Sequence, residues 1–435
     1  MKGQKGSRFV PRNLSHTRLF GAYLATHAID DAICFLHGGE GCKTKTQLHL
    51  VFHDWFRESH NRRIWTDIKD ADFIKGTASR MESVVQTWIQ RRSPSIAFVL
   101  TASFIEVSGE DMAAAVEQID ERAECPVRYL PTAGFEGDLY SGYGDVVLET
   151  VRALDWTQSP EGGVNIIGHF FDRYEEDRVA DIAQLRAMCA GAGAPAQAIF
   201  LSGCSLAALG QGTKARANIV LPYLAHHAAE IQAITGRPTV VTDLPIGLHG
   251  SARFVRDVAT AAKGDLALAE SFIEEELRTA VRSLDCLVSR TGDADARRRF
   301  ALFGDTPLAS AMAAFLTDLE MTAEVVGLLD RTLGGQEAFA QAFQRLCPAP
   351  GAAPGVLADP SREAVRQAVS SLASPPDLLL GTSVEILDLA DLRVPSLEMG
   401  FPSFACHGLY PLPVFGFQGA RSIGQRILNA LSNVH

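Results

Sequence analysis

Paired cysteines are missing from this sequence. Its eight cysteines, Cys34, Cys42, Cys125, Cys189, Cys204, Cys286, Cys347 and Cys406, all stand alone. Without a CxxC pair there is no self-contained zinc knuckle and no local ferredoxin-type cluster. Any cluster held here must draw ligands from elsewhere. Most of these thiols sit in apolar surroundings and read as reduced, which points to the cytoplasm. A run of about eighteen uncharged apolar residues is absent too, which excludes a membrane-spanning helix. Residues 1–13 contain no apolar core, so they do not read as a secretory signal. Basic charge is in deficit: 40 Lys and Arg face 51 Asp and Glu, a net charge of −11. No basic stripe stands out, which argues against nucleic acid as the main partner. Lys2, Lys5, Arg8 and Arg12 form only a short arm. Familiar catalytic signatures are missing as well. There is no Walker A pattern for ATP and no G-x-G-x-x-G after a strand for a dinucleotide. Gly203-Cys204-Ser205 does not complete a G-x-S-x-G elbow, and His226, His227, His249 and His407 lack HExxH spacing.

What remains is a regular alternation. At 435 residues, 47% of them hydrophobic, the chain is too long for one core and calls for two or three domains. Short apolar runs alternate with amphipathic stretches, the pattern of parallel sheets with crossover helices. Strands are expected at 32–37, 64–68, 95–101 and 127–131, with helices at 44–57, 78–92 and 109–122. A second set of strands is expected at 164–170, 197–201, 218–223 and 238–242, with helices near 179–190 and 226–235. After a long helical section, 251–290, come strands at 299–304, 323–329, 354–358, 377–381 and 394–399, then a terminal helix at 419–433. The expected fold is α/β: three Rossmann-like domains with parallel sheets flanked by helices. Their boundaries are placed at 1–160, 161–250 and 251–435, the last including the helical segment and the C-terminal helix. The helix from Gly109 is signalled by Ser108 as a cap and by Glu110 and Asp111 in its first turn.

Ligands of open α/β sheets sit at the carboxyl ends of strands. One such turn stands out. The apolar run Ala32-Ile33-Cys34-Phe35-Leu36 leads into His37-Gly38-Gly39-Glu40-Gly41-Cys42, a glycine-rich turn that delivers one thiol at the start of a helix. Glycines there let another backbone or a bulky inorganic group come close. A thiolate so placed can ligate iron or zinc, or act as a nucleophile.

Several segments together resemble component 1 of nitrogenase and its relatives, in the order of the β-type subunit. His37 to Cys42 resembles the family's histidine–glycine–x–x–glycine–cysteine cluster loop. Residues 13–22, from Asn13-Leu14 to Gly21-Ala22, are similar to its opening segment. Residues 101–111 resemble the segment that carries a further cluster ligand, and Pro131 to Gly137 with Gly142 its proline–x–phenylalanine–x–glycine loop. Leu244-Pro245-Ile246-Gly247-Leu248, Phe303-Gly304-Asp305, Gly381-Thr382-Ser383 and Gly400-Phe401-Pro402 continue the likeness. The resemblance implies an enzyme, a nitrogenase-like oxidoreductase subunit in an α/β heterodimer doubled to a heterotetramer (α2β2). It implies an iron–sulfur cluster at the subunit interface and a separate homodimeric ATPase iron protein that supplies electrons.

Departures narrow the role. The β-type subunit of dinitrogenase contributes three cysteines to its cluster; here Cys42 remains, and the other two positions are Thr17 and Ser103. Hydroxyls are poor replacements for thiolates on iron. A [4Fe-4S] cluster with one ligand from this chain is favoured, while Ser103 as an oxygen ligand or a recruited Cys34 leaves a larger cluster open. Cys42 is the expected metal ligand, with Ser103, Gly41, His37 and Thr17 around the cluster. Phe104, Ile105 and Val107 match an apolar docking patch, and Glu106 and His37 are candidates for hydrogen bonding beside it. The loop at Glu40 and Lys43–Gln47 departs from dinitrogenase and from the family's protochlorophyllide and chlorophyllide reductases. The expected function is a β-type subunit relaying ATP-driven electrons to a partner's substrate site, for methylthio-alkane or similar reduction. A subunit of the cofactor-assembly scaffold is the alternative.

Overall fold

The computed structural model describes residues 17–43, 62–291, 298–347 and 353–432, with side chains except at 286–291. The expected helix at 44–57, the basic arm before residue 13 and the Cys286 side chain lie outside these residues. Three parallel sheets organise the chain. The first has strands β1 (Ala32–His37), β2 (Arg63–Trp65), β3 (Ile96–Thr101) and β4 (Val127–Leu130) in the order β2-β1-β3-β4. The second has β5 (Val164–Ile167), β6 (Ala196–Ile199), β7 (Ala217–Val220) and β8 (Thr239–Val241) in the order β6-β5-β7-β8. The third has β9 (Arg299–Gly304), β10 (Thr322–Leu328), β11 (Val356–Ala358), β12 (Leu378–Gly381) and β13 (Ser396–Glu398) in the order β11-β10-β9-β12-β13. Every strand expected from the alternation is present, and all pairings are parallel.

The first sheet shows why. Every residue of β1 and β3 is buried, as a strand covered on both faces requires. Alternate side chains serve two cores. Cys34, Leu36, Phe98 and Leu100 pack on one face with the helix Arg18–His27. Ile33, Phe35, Ala97 and Val99 pack on the other with Met81, Val85, Val116 and Ile119 of the helices Ala78–Arg92 and Met112–Asp120.

One helix expectation needed revision. The stretch from Gly109 does not start a helix, because Gly109 adopts a φ of +78°. Ser108 instead closes the short helix Ser103–Glu106 through Ile105 O, 2.7 Å, and Asp111 caps Met112–Asp120 by accepting from Ala114 N, 3.0 Å. Glu110 turns to another helix, accepting from the backbone N–H of Thr77 at 2.7 Å and of Ala78 at 3.1 Å at the start of Ala78–Arg92. The long section 251–290 is two helices, Gly247–Ala261 and Leu266–Thr291, broken where Lys263 takes a φ of +52°.

The helix Arg18–His27 lies against Leu139–Arg152 at backbone contact. A Cβ on Gly21 would fall 1.7 Å from the Leu139 carbonyl oxygen, and one on Gly142 would fall 1.9 Å from that of Arg18. Arg18 adds an ion pair with Asp145 at 2.8 Å, the first cause of its raised pKa. The obstructing atoms are main chain, so a methyl group at either position forces the helices apart. Gly142→Ala should therefore cost about 2 kcal/mol or more, the scale of overpacking. Denaturant unfolding would show it as a lower midpoint at unchanged slope, and a variant as stable as the parent would refute the contact.

Candidate functional site

The register of β1 on β3 pairs His37 with Thr101, so the two following turns emerge side by side. They are stitched together where Ala102 N donates to His37 O at 3.0 Å. Gly38 is the tight point. A Cβ there would meet the Ala102 Cβ at 3.0 Å and the Cys42 Sγ at 3.8 Å. Cys42 stands in the first turn of a helix beginning at Glu40, its N–H on the Gly39 carbonyl at 3.1 Å, and is half-buried. Gly41 is exposed, and a Cβ on it would meet nothing among the described residues within 4 Å. Gly38 thus brings the thiol against the neighbouring turn.

Ser103 and Thr17 each have a structural task. The Ser103 hydroxyl accepts from Gly134 N at 2.8 Å, fastening the loop 131–137 to the β3 turn. Thr17 caps the helix Arg18–His27, its hydroxyl accepting from Phe20 N at 3.3 Å. Cys34 is buried mid-strand, and burial pushes its thiol up to about 12. A protonated core thiol at neutral pH is no ready ligand. Among the described residues no group of three or more His, Cys, Asp or Glu side chains could hold a metal. The donor set at this turn is therefore one thiol, which suits an iron–sulfur cluster only if other ligands come from another chain.

His37 is fully buried beneath the turn. Its Nδ1 meets the Thr66 hydroxyl at 3.0 Å and its Nε2 the Thr77 hydroxyl at 2.9 Å. The imidazole ties three segments together, and both ring nitrogens are spent on that. Burial lowers its pKa to about 4 against a small opposing pull from Glu110. Glu106 accepts from the Thr101 hydroxyl and from Tyr129 at 2.9 Å. Of the three apolar residues expected to form a docking patch, Ile105 is fully buried in the core and Phe104 half-buried, while Val107 is 72% exposed. Sequence reading missed its exposed companions. Phe73 packs against Phe104 with ring centroids 5.4 Å apart and tilted, and is itself exposed, as are Ile74 beside it and Phe135 next to Gly134. Their signal was present: apolar side chains at helix and loop positions that have no face to pack on. Exposed apolar side chains gathered at the β3 turn are the kind of patch that protein interfaces use.

Residues 17–432 match the family model described as nitrogenase component 1 type oxidoreductase. The nitrogenase molybdenum-iron protein beta chain of Bradyrhizobium diazoefficiens is 24% identical over 443 residues, covering 94% of this chain and 82% of that one. The vanadium-iron protein beta chain of Trichormus variabilis is 23% identical, covering 94% and 91%, and the iron-iron protein beta chain of Rhodobacter capsulatus 21%, again covering 94% and 91%. The solved structure of nitrogenase Cp1 at pH 6.5 superposes with a TM-score of 0.82 at 18% identity, over 100% of this chain and 95% of that one, which shows a shared fold.

The buried imidazole gives a pH test. An unfolded chain protonates His37 near 6.5, whereas the folded chain resists protonation until about 4. Its contribution to stability is present above 6.5 and is lost as pH falls through that window. His37→Gln should flatten the dependence of unfolding free energy on pH between 4 and 6.5 while lowering stability at pH 7, because Gln cannot bridge both threonines. An unchanged slope in urea titrations would contradict this role.

Proposed function

We infer the function from one premise: this chain belongs to the nitrogenase component 1 type oxidoreductase family, whose model spans nearly all of it. It acts as the β-type subunit of a nitrogenase-like reductase, paired with an α-type partner in a heterodimer that doubles to a heterotetramer. Cys42 supplies one thiolate ligand to an iron–sulfur cluster shared across that interface, and the partner supplies the rest. When bound, such a cluster relays single electrons at low potential. An iron protein that hydrolyses ATP is the electron source, and the substrate site lies in the partner.

The observation that carries this reading is the half-buried Cys42 thiol at the β1 turn, beside a β3 turn whose surroundings carry the exposed apolar side chains Phe73, Val107 and Phe135. A four-iron cubane needs four ligands, so one sulfur from here leaves three for the partner. Thr17 and Ser103 already spend their hydroxyls on Phe20 N and Gly134 N, which supports the smaller cluster over an eight-iron one. Gly38 sets the sulfur's height above β1, and the His37 bridge keeps the turn from shifting. The departure from three cysteines to one separates the chain from dinitrogenase, and the divergent loop at Glu40 and Lys43–Gln47 supports a different substrate, a methylthio-alkane or similar. The relatives above are beta chains of dinitrogenases, which favours a terminal reductase over an assembly scaffold.

Anaerobic co-purification with the partner tests this. Iron analysis should return about four irons per heterodimer, and Cys42→Ala should lose them together with the brown absorption of sulfur-bound iron. Ser103→Ala should keep the iron and lose only local stability. About eight irons, or a Cys42→Ala complex that keeps its cluster, would overturn the assignment.

A further inference from the structure

Two fully buried threonines flank the His37 ring, Thr66 on Nδ1 at 3.0 Å and Thr77 on Nε2 at 2.9 Å. Each also holds a second segment. Thr66 Oγ1 accepts at 3.2 Å from the N–H of Gly38, the glycine that sets Cys42 beside the Ala102 turn. Thr77 N donates to both carboxylate oxygens of Glu110, at 2.9 and 2.7 Å. A continuous path of contacts therefore runs from Glu110 through Thr77, His37 and Thr66 to Gly38. Its start follows closely on exposed Val107 in the chain, and its end is the turn that carries the thiol.

Hydrogens do not divide evenly along this path. A neutral imidazole donates at one nitrogen and accepts at the other, and the two hydroxyls bring one hydrogen each. Only one hydroxyl can therefore donate to the ring. With the hydrogen on Nε2, the ring donates to Thr77 and accepts from Thr66, whose lone pairs stay free for Gly38 N. With the hydrogen on Nδ1, Thr66 must accept from the ring and from Gly38 N at once. Its own hydrogen, with no third partner among the described residues, is then stranded in the core. In the first arrangement the spare hydrogen belongs to Thr77, the residue that Glu110 touches. Glu110 decides between them. Its charge lies on the Nε2 side and pulls on this ring against burial. An N–H dipole aimed toward an anion is stabilised, which favours the hydrogen on Nε2.

We propose that Glu110 is a positioning residue for the Cys42 turn: it fixes His37 as the Nε2–H tautomer, which points the Thr66 hydroxyl at Nδ1 and strengthens the hold of Thr66 on the Gly38 amide. A hydroxyl that donates is the better acceptor, because hydrogen bonds in a chain polarise one another. That the turn then ligates iron rests on the function proposed above; the tautomer does not.

NMR at pH 7 on the full chain, labelled with nitrogen-15 at histidine and glycine, tests this. Long-range proton–nitrogen spectra, with His37 assigned by its loss in His37→Gln, should show the hydrogen on Nε2. Glu110→Gln keeps an acceptor for Thr77 N and removes the charge. It should shift the tautomer ratio toward Nδ1–H by about tenfold and speed exchange of the Gly38 amide hydrogen by a similar factor. Glu110→Asp, which keeps the charge, should retain Nε2–H. In the complex co-purified with its partner, Glu110→Gln and Thr66→Val, which alters no charge, should both move the midpoint potential of the cluster at unchanged iron content. Nδ1–H in the parent, or a tautomer and a Gly38 exchange rate that ignore Glu110→Gln, overturns the proposal, and the parent spectrum decides alone if the variant fails to fold. A complex without iron overturns the function proposed above instead and leaves the two NMR outcomes to judge this inference.

Discussion

The helices Arg18–His27 and Leu139–Arg152 approach until main chain meets main chain, and much of the first domain takes its position from that contact. Only hydrogen fits at Gly21 and Gly142, because the atoms facing them are carbonyl oxygens and an amide. The same helix pair roofs one face of the first sheet, so its spacing sets where β1 and β3 end. The second helix also carries the link to the third domain. Asp138, at its N-terminus, accepts from Tyr140 N and Ser141 N and also from the backbone and hydroxyl of Thr332 and from Arg331 N. One buried carboxylate thus serves as a helix cap and as a clasp between domains.

A second consequence follows at the turns. Parallel register puts His37 beside Thr101, and the two chains leave the sheet in parallel. Cys42 gains its place from Gly38 below it and from the Ala102 turn next to it. At the two positions where the resemblance implies further thiols, Ser103 fastens a loop and Thr17 caps a helix. Among the described residues no second thiol or carboxylate group joins Cys42 in a set that could hold a metal.

Buried ionisable groups collect between domains. Asp305 and Asp181 are both pushed up to about 6, chiefly by burial, and Asp181 is opposed by Arg178 and by the amides of Phe415 and Val414. Such groups are tolerated because their oxygens find donors across the junctions: Tyr140 for Asp305, and Val414 N and Phe415 N for Asp181.

The strands were readable from the sequence because hydrophobic runs of five or six residues bounded by glycine and polar turns leave few alternatives. The Cys42 turn was readable for the same reason, since its glycines and single thiol are local signals. Helix ends were less legible: Ser108, Glu110 and Asp111 are all capping residues, and Gly109's backbone decided which helix each one serves. Residues at contacts between distant segments gave no local signal. The partners of His37 lie 29 and 40 residues away, and the Arg331 and Thr332 partners of Asp138 more than 190. Periodicity and turn chemistry are properties of neighbouring residues, so sequence alone determined the three-sheet architecture and the position of the thiol. Which hydroxyls were spent and which carboxylates were paired depended on long-range packing, and only the tertiary structure decided them.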